Sequence, residues 1–429
     1  MKIWRACAND AKLACLAGLV LSALGAVACG DNRTPDVCAG DNGGISLPPG
    51  FCATVFADGI GRARHMAVTP AGDVFVVSLS GTAGPARVVA LRDADLDGVA
   101  EVTQQIADFG GNGIAWDAGR LFVAADNRIV RFDLPDGALV PEHSVVAVAD
   151  LPISGDHIRK SVVAAGDVLY VNIGSSTNAC QVENRVMHSP GIDPCPELSM
   201  RAGVWTYSAS EVDQPAGAGV RFATGVRNAN ALTLAPDGTL WAAVNGRDHL
   251  WLNWPERFTR EQELDLPGEE IVVLHQDTDR GWPYCYYDPQ RDDMMLAPEY
   301  GGDGAITGRC ASIPNPASFV PSHWAPLGAV FYEGRQFPER YRGGMFVANH
   351  GSSSHPIDPP VIPGYNVVFV PFISGVPGAW EAFATGFDGG RPLPHEADHR
   401  PVGVAVLPDG ALLISDDRGG RIWKVTFEM

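Results

Sequence analysis

Residues 408–414 read Pro408-Asp409-Gly410-Ala411-Leu412-Leu413-Ile414, an Asp-Gly turn that leads directly into an apolar strand. The same unit, a glycine turn followed by a short strand interpreted as alternating apolar, occurs six times. Strands also flank the unit: one precedes most copies, as at 402–407, and another follows several, as at 420–425. The other five copies of the unit cover residues 70–76, 117–123, 165–171, 236–241 and 342–347.

A small sheet of this composition is typical of one blade of a β-propeller. Such a sheet cannot bury both of its faces alone, so the copies must stack radially and close into a ring. The sequence therefore predicts an all-β fold, a six-bladed β-propeller, with a β-sandwich or two barrels as the alternative. The spacing between copies roughly doubles between Trp241 and Phe346, which predicts a long insertion of functional loops between the fourth and fifth repeats.

The composition limits the kinds of partner. The chain has 429 residues, 46% of them hydrophobic, and a formal net charge of −19. A sizeable core is therefore expected, and nucleic-acid binding is disfavoured because phosphate contacts need a basic surface. An acidic surface suits an extracytoplasmic protein that meets divalent cations or neutral substrates.

The N-terminus has the pattern of an export signal. Lys2, Arg5 and Lys12 precede or flank the start of an apolar run over 13–27, and small residues then lead to Cys29. A bacterial lipoprotein peptidase accepts this pattern, so Cys29 is predicted to carry a lipid. An ordinary secretory signal is the alternative.

Three segments follow from this pattern: a signal peptide over 1–28, a polar, Gly-rich tether over 29–43 and a propeller domain over 44–429. The expected location is extracytoplasmic, in the periplasm or at the cell surface. Membrane attachment is expected only through the lipid, because the apolar run is too short for a permanent span.

The cysteines are consistent with an oxidising compartment. Two of the nine leave with the signal peptide and one carries the lipid, so six remain as three neighbouring pairs. A zinc site is the alternative, but no pair has the C-x-x-C spacing. The predicted disulfides are Cys38–Cys52, Cys180–Cys195 and Cys285–Cys310.

Two loops carry candidate catalytic side chains. His157 lies directly before a strand of the third repeat and is a candidate general base, because its pKa lies near working pH; a solvated histidine is the alternative. Arg227 stands beside the amides Asn228 and Asn230 and offers a fork of donors to anionic oxygens; a surface turn with an ordinary ion pair is the alternative.

Two other segments are candidate calcium sites. Carboxylates and exposed carbonyls follow Trp241, in residues 245–248, 267–270 and 276–285. Asp93, Asp95 and Asp97, followed by Gly98, resemble a calcium loop between the first two blades, although the twelfth position is Gln104 rather than Glu. Solvated acidic loops are the alternative in both cases.

The chain resembles the PQQ-dependent sugar dehydrogenases, the glucose/sorbosone dehydrogenase family, and within it the sorbosone-dehydrogenase-like branch. The similarity extends from about Leu47 to Val425. The stretches that carry it are 174–180, 225–229, 245–248, 281–285, 323–328, 347–352 and 400–402.

The resemblance implies pyrroloquinoline quinone (PQQ) over the channel mouth and His157 as the base that takes the proton of a sugar hydroxyl while a hydride passes to the quinone. Arg227 stabilises the reduced quinone oxygen, with Asn228 beside it. Members of the soluble glucose type orient the base with an aspartate, whereas the aligned residue here is Ser175. This difference leaves the tautomer of His157 without an evident partner in the sequence.

The resemblance also implies calcium, which polarises the quinone as a Lewis acid. Its implied ligands are the main-chain oxygens of Gly246 and Arg247, the Glu269 carboxylate and a carbonyl near Arg280. In addition, Arg400 pairs with a PQQ carboxylate, while His323 and His350 line the pocket.

The implied substrate is a small sugar or polyol, and the chain has no c-type haem motif, so electrons must pass to a separate acceptor. Two other functions remain open from the sequence. One is a calcium-dependent lactone hydrolase, an activity also found on six-bladed propellers. The other is a non-catalytic surface propeller that binds glycans or proteins.

Overall fold

The computed structural model describes residues 38–82, 84–352, 364–393 and 396–428. The first half of this part contains β1 (Phe51–Ala57), β2 (Arg62–Val68), β3 (Val74–Leu79), β4 (Val88–Arg92), β5 (Val102–Ala107), β6 (Gly113–Asp117), β7 (Arg120–Ala124), β8 (Ile129–Asp133), β9 (His143–Ala149), β10 (Lys160–Ala165), β11 (Val168–Ile173), β12 (Gly203–Ser208), β13 (Gln214–Pro215) and β14 (Val220–Thr224).

The second half contains β15 (Ala231–Leu234), β16 (Leu240–Val244), α1 (Leu250–Asn253), α2 (Arg260–Asp265), β17 (Glu269–Leu274), β18 (Thr278–Asp279), β19 (Cys285–Asp288), β20 (Asp293–Leu296), β21 (Ser318–Val320), β22 (Pro326–Phe331), β23 (Met345–Asn349), β24 (Asn366–Val370), β25 (Phe372–Ile373), β26 (Val376–Pro377), β27 (Glu381–Ala384), β28 (Pro401–Val406), β29 (Leu412–Asp416) and β30 (Ile422–Phe427).

Six sheets of four or five strands form the blades of a β-propeller in this part of the chain. Their innermost strands are β2, β6, β10, β15, β22 and β28, and each contacts the next around a ring that closes between β28 and β2. The predicted six-bladed β-propeller is confirmed.

The second strand of each blade is the one that the repeated unit predicts. Strands β3, β16, β23 and β29 are buried along their whole length, because each is covered on both faces by the neighbouring blades. The prediction of alternating strands is therefore corrected: strands buried on both faces are continuous apolar runs. The turn before β29 needs Gly410, whose φ of +92° is unfavourable for residues with a side chain.

The ring is closed by its first strand, since β1 pairs antiparallel with β30 on the outer side of the sixth blade. Phe51 of β1 packs edge-on against four rings of the adjoining core, Phe337, Tyr341, Phe383 and Phe427. This pairing of the N-terminal strand with the C-terminal strand ties both ends of the domain together.

The extra residues between Trp241 and Phe346 lie mostly inside the fourth blade. Helices α1 and α2 connect β16 to β17, while the connection from β17 to β21 adds β18 to the third blade and forms the hairpin β19–β20. These two connections add the small two-stranded sheet β19–β20 but no seventh blade within the described residues.

The three predicted disulfides, Cys38–Cys52, Cys180–Cys195 and Cys285–Cys310, are present. Among the described residues, no helix has the length and apolarity needed to cross a membrane. The predicted signal peptide, the lipidated Cys29 and tether residues 29–37 lie outside the described residues.

Two predicted boundaries are corrected by the structure. Residues 38–43 belong to the domain rather than to a free tether, because Ala39 donates its amide to Ala53 O (3.0 Å) and Asn42 accepts from the amide of Ala53 (3.0 Å). The loop with Asp93 connects β4 to β5 inside the first blade and does not join the first two blades.

Candidate active site

All the residues proposed to bind the quinone or the calcium beside it lie at one mouth of the central channel. Each inner strand begins at this mouth, and each second strand, which is antiparallel to it, ends there. His157, Asn228, His323 and Arg400 come just before inner strands. Five more residues lie at the ends of other strands at this mouth. Gly246 and Arg247 follow β16, Glu269 begins β17, Arg280 follows β18 and His350 follows β23.

The partly buried His157 has a defined tautomer. Its Nδ1 lies 3.0 Å from the carbonyl oxygen of Ser175 and 2.9 Å from Oγ of the same residue, and that Oγ donates to Thr177 O (2.7 Å). Because a carbonyl only accepts, Nδ1 carries the proton and Nε2 keeps its lone pair. The expectation that Ser175 leaves the tautomer unsupported is therefore wrong.

The imidazole of His157 is also neutral. Burial lowers its pKa to about 3, and the nearby Arg227 guanidinium adds to the effect, while Asp156 and Asp248 oppose it. A neutral imidazole with an unprotonated Nε2 can accept a proton, but its pKa of about 3 lies well below the value near working pH that the sequence predicts.

A buried lysine holds the loop that carries His157. Lys160 is fully buried, and its Nζ donates to Pro152 O (2.8 Å) and Ile158 O (2.5 Å), on either side of the histidine. Burial lowers the pKa of Lys160 to about 7. The loop is thus tied to the first residue of β10 rather than left to solvent.

Arg227 occupies the centre of the cluster and is almost fully buried. Its Nη1 donates to Gly246 O (2.6 Å), its Nε to Asn178 O (3.1 Å) and its Nη2 to Asn178 Oδ1 (2.9 Å) and Asp248 Oδ2 (3.3 Å). The Ser175 amide bonds to Arg227 O (2.8 Å). Arg227 therefore links Ser175, which holds His157, to the loop that contains Gly246.

Asn228 has a buried oxygen without a partner. Its Oδ1 accepts no hydrogen bond from the described residues, although the side chain is only 5% exposed. A Cβ added at Gly174 would lie 2.6 Å from Cβ of His157 and 3.1 Å from this Oδ1. Asn228 and His157 therefore adjoin, and the unsatisfied oxygen is available to a ligand.

Glu269 supplies a buried carboxylate on the other side of Arg227. Its oxygens accept from the amides of Gly246 (2.6 Å) and Ala325 (3.3 Å), and burial raises its pKa to about 7. The Gly246 carbonyl accepts from Arg227. The side chains of Arg247 and Arg280 form ion pairs with Glu299 and Glu270, so these two arginines could contribute only main-chain oxygens.

His323 is the cationic histidine of the mouth. Its Nε2 donates to Glu263 O (2.7 Å) and its Nδ1 lies 3.6 Å from Asp248. Burial alone would lower its pKa, but these two partners raise it to about 9. His323 therefore holds Asp248, which in turn bonds Arg227.

His350 and Arg400 form a second group around Asp417. His350 Nε2 lies 2.8 Å from Asp417 Oδ1, and Arg64 Nη1 lies 2.8 Å from the other oxygen of that carboxylate. Arg400 donates to the carbonyls of His350 (3.0 Å), Gly351 (2.5 Å) and Ser352 (2.9 Å). In this structure Arg400 therefore fixes the loop after β23.

The acidic loop of the first blade brings its carboxylates together. Oxygens of Asp93, Asp95, Asp97 and Glu101 lie within 4.8 Å of one another, and Asp93 accepts from the amides of Asp97 (3.1 Å) and Gly98 (2.9 Å). The arrangement agrees with an acidic turn and with a cation loop alike, so the second calcium site stays a prediction.

The sequence analysis did not identify Asn178, Arg185, Asp248 or Asp417 as site residues. Asn178 is fully buried and bonds to both Arg227 and Asp248. Arg185 joins Asp156 (3.0 Å) to Asp248 (3.0 Å). Asn178 stood in a stretch that carries the family resemblance, and Asp248 stood both in such a stretch and in the candidate calcium segment 245–248.

Comparisons with known proteins agree with this architecture. A calcium structure of the family AA12 enzyme of Trichoderma reesei superposes with a TM-score of 0.69 at 19% identity and covers 90% of this chain and 97% of the other. The holo form of the pyranose dehydrogenase PQQ domain of Coprinopsis cinerea gives a TM-score of 0.71 at 18% identity, with coverage of 92% and 99%.

One curated relative, an uncharacterized protein of Borreliella burgdorferi, is 27% identical over 266 residues. The match covers 60% of this chain and 60% of that protein.

The six-bladed ring, with its neutral histidine and buried arginines at one mouth, has the same fold as these two solved structures. The chain belongs to the TrAA12-like family, whose model matches residues 45–428. The resemblance to PQQ-dependent sugar dehydrogenases that the sequence predicts is confirmed.

Proposed function

We propose that this protein oxidises a sugar, a sugar aldehyde or a polyol with bound PQQ and calcium, and passes the electrons to a separate acceptor. The observation that carries the proposal is His157, whose Nδ1 is held by Ser175 while Nε2 remains free to accept a proton. Support also comes from the solved relatives, one a pyranose dehydrogenase PQQ domain and another a calcium structure.

The mouth suits a flat anionic cofactor such as PQQ, which carries three carboxylates. Buried or partly buried arginines come from four of its blades, in a chain whose net charge is −19. The unpartnered Oδ1 of Asn228 adds a polar atom beside them that lacks a partner in the described residues. The arginines are Arg62, Arg64, Arg159, Arg227 and Arg400.

A calcium ion suits the group around Glu269. Calcium prefers carboxylate and carbonyl oxygens, and Glu269 is a buried carboxylate whose hydrogen bonds come only from main-chain amides among the described residues. The main-chain oxygens of Gly246 and Arg247, with a carbonyl near Arg280, complete the proposed ligand set. A cation there would compensate a charge that burial otherwise disfavours.

The residues of this chain then have separate tasks. His157 accepts the hydroxyl proton at Nε2, and Ser175 keeps its ring in the tautomer that can do so. Arg227 places a fixed positive charge next to the base, aligned by Asn178 and Asp248 before the reaction begins. A bound quinone would supply the acceptor for the hydride from the carbon that bears this hydroxyl, and calcium would polarise the quinone carbonyl as a Lewis acid.

The proposal is tested by loading purified protein with PQQ and calcium and following dye reduction with a panel of aldoses, polyols and sorbosone. We expect turnover with wild type and a loss of roughly 100- to 10,000-fold in kcat for His157→Ala, the usual contribution of a general base. Quinone absorbance should still show PQQ binding in that variant.

His143→Ala is the control, because His143 is exposed at the start of β9 in the second blade. Lactone hydrolysis without PQQ would instead support the hydrolase. Absence of both activities, with no change in quinone absorbance, would support a non-catalytic propeller.

We also propose that the protein is exported and held at a bacterial membrane by a lipid on Cys29. The three disulfides support an oxidising compartment. Fractionation of cells that express Cys29→Ala should find the protein in the soluble extracytoplasmic fraction. Unchanged membrane association of this variant would contradict the lipid anchor.

A further inference from the structure

Lysine is rare in this chain, and the structure buries both of the lysines that it describes. The whole sequence contains Lys2, Lys12, Lys160 and Lys424 and no other lysine. Lys160 is 0% exposed and Lys424 is 4% exposed. Because a lysine is almost never fully buried unless it is paired, the partners of these two side chains show what each of them does.

The two buried lysines have different partners. Lys424 Nζ lies 3.4 Å from the Asp409 carboxylate, so its charge is compensated. Lys160 forms no ion pair among the described residues, and its Nζ donates instead to Pro152 O (2.8 Å) and Ile158 O (2.5 Å). Burying an ammonium group without a carboxylate beside it costs stability. The placement of Lys160 therefore points to a role other than stabilising the blade.

The two carbonyl acceptors of Lys160 stand at the two ends of the loop that carries His157. Residues 153–156 between them are exposed, so few packing contacts hold them. One further hydrogen bond, from the Asp156 amide to Ser176 O (2.8 Å), ties this loop to its neighbour. Nζ of Lys160 thus joins the beginning of the loop to its end and fixes the main chain on both sides of the histidine.

We propose that Lys160 is a positioning residue for the base, because its side chain clamps the loop and so keeps the His157 imidazole in its working position. This inference rests on the proposed function, in which His157 accepts a proton from the substrate. Lys160 is fully buried, so it acts through the loop and not on the substrate. Proton transfer needs close contact between the heavy atoms, and a misplacement of about 1 Å can lower the rate about 100-fold.

The strength of this clamp depends on the protonation of Lys160. Burial lowers the pKa of Lys160 to about 7; the Arg201 and Arg159 guanidinium groups add to this effect, and the Asp126 carboxylate opposes it. An ammonium group donates stronger hydrogen bonds to carbonyls than a neutral amine does. The clamp should therefore be tight below about pH 7 and loosen above it, and kcat should fall in the same range.

Matched variants of the two buried lysines test the clamp. Lys160→Met removes the donors but keeps a long unbranched side chain. Lys424→Met makes the same change in β30, where the partner Asp409 belongs to the turn before β29, at the end opposite to the mouth. We expect Lys160→Met to lower kcat for dye reduction about 100-fold, with KM for the sugar and the affinity for PQQ unchanged. Lys424→Met should lower the melting temperature without changing kcat.

Lys160→Arg separates the charge from its titration. Arginine keeps its donors and stays charged, so the activity of this variant should no longer decline above about pH 7. Wild type allows an independent measurement, because a chain with four lysines gives at most four NMR signals when lysine Cε is labelled with carbon-13. The signal that Lys160→Arg lacks should titrate near pH 7, whereas an ordinary lysine titrates at about 10.4.

Hydrogen exchange tests the clamp without catalysis. The Asp156 amide should exchange faster in Lys160→Met than in wild type or Lys424→Met, because its bond to Ser176 O depends on a fixed loop. The inference is overturned if this exchange is unchanged, if Lys160→Met keeps the wild-type kcat, or if its loss of kcat comes with a loss of PQQ binding. If Lys160→Met does not fold, a wild-type pH profile without a decline at the midpoint of the Lys160 signal overturns it. Faster exchange in the variant, with a wild type that reduces no dye, would count against the proposed function alone.

Discussion

At the scale of single residues, partners decide the protonation of two histidines at the same mouth. Burial and the adjacent Arg227 guanidinium lower the pKa of His157 to about 3, against the opposing effect of the Ser175 carbonyl, so the imidazole is neutral. His323 faces Asp248 and Glu263 O, so its pKa rises to about 9 and it is cationic. One residue type therefore supplies a base in one loop and a structural cation in the other.

The two predicted calcium sites can be tested separately, because each depends on a different carboxylate. Glu269→Gln should weaken calcium binding at the mouth by tenfold or more, equivalent to about 1.4 kcal/mol, because a neutral amide replaces the buried carboxylate. Asp97→Asn should leave calcium binding at the mouth unchanged and weaken only calcium binding at the first-blade loop. Calorimetric titration of the protein with calcium, without quinone, measures both. If neither variant changes a binding event, both ligand assignments are wrong.

At the scale of elements, the connection from β11 to β12 does most to build the site. It supplies Ser175 to His157, Asn178 to Arg227, and Arg185 to Asp156 and Asp248. The disulfide Cys180–Cys195 lies in the middle of these contacts. A loop this long would lose much conformational entropy on ordering, and the covalent closure reduces that loss.

Replacing Cys180 and Cys195 with serine should therefore lower both stability and activity. Closure of a loop of this length stabilises a protein by about 3 kcal/mol in the chain-entropy model. Replacing Cys38 and Cys52 is the matched control, because the sequence separations are 15 and 14 but the second bond ties β1 far from the mouth.

Thermal denaturation should show similar losses of stability for the two double variants. Steady-state kinetics should show a raised KM or lowered kcat only for the first. Equal kinetic damage from both would mean that the loop has no special role in the site.

At the scale of the whole molecule, the ring depends on contacts between residues far apart in the chain. β1 pairs with β30, and His65 of the first blade reaches Leu327 of the fifth, where its Nε2 lies 2.6 Å from the carbonyl oxygen. Stability is therefore a property of the closed ring, and groups in several blades contribute to its dependence on pH.

Acid should destabilise the calcium-free protein between about pH 6.5 and 5. Burial lowers the pKa of His157 to about 3 and those of His65 and His350 to about 4, so the unfolded chain binds up to three more protons in this range. Glu269 has the opposite effect on stability. Because burial raises its pKa to about 7, the folded protein binds one more proton at this carboxylate than the unfolded chain does. The free energy of unfolding should thus fall as the pH decreases.

Denaturant titrations across this pH range measure the slope. His65→Gln keeps a donor toward Leu327 O but does not titrate, so it should make the slope shallower by about one proton. Stability that is constant or rises toward pH 5 would contradict the assigned protonation states.

Much of the architecture could be predicted because short-range sequence patterns specify it. Gly410 and the five equivalent turns mark second strands, and the six cysteines pair with near neighbours, so short-range patterns were sufficient. Site residues that precede or follow strands, such as His157, Arg227 and Glu269, could be placed at one mouth from strand order and family resemblance.

The amino-acid sequence is enough to predict the number of blades, because repeated turn-and-strand units bury their apolar faces by stacking into a ring. It also contains the cysteine pairs and the residues of the candidate site. Which partners those residues contact is known only from the folded structure. The side chain of Asn178 accepts a hydrogen bond from the amide of Asp248, which lies 70 positions away in the chain. Ser175 fixes the tautomer of His157 through its main-chain carbonyl, a group that every residue type has. The packing of neighbouring loops at the mouth creates these contacts, and no local pattern encodes them.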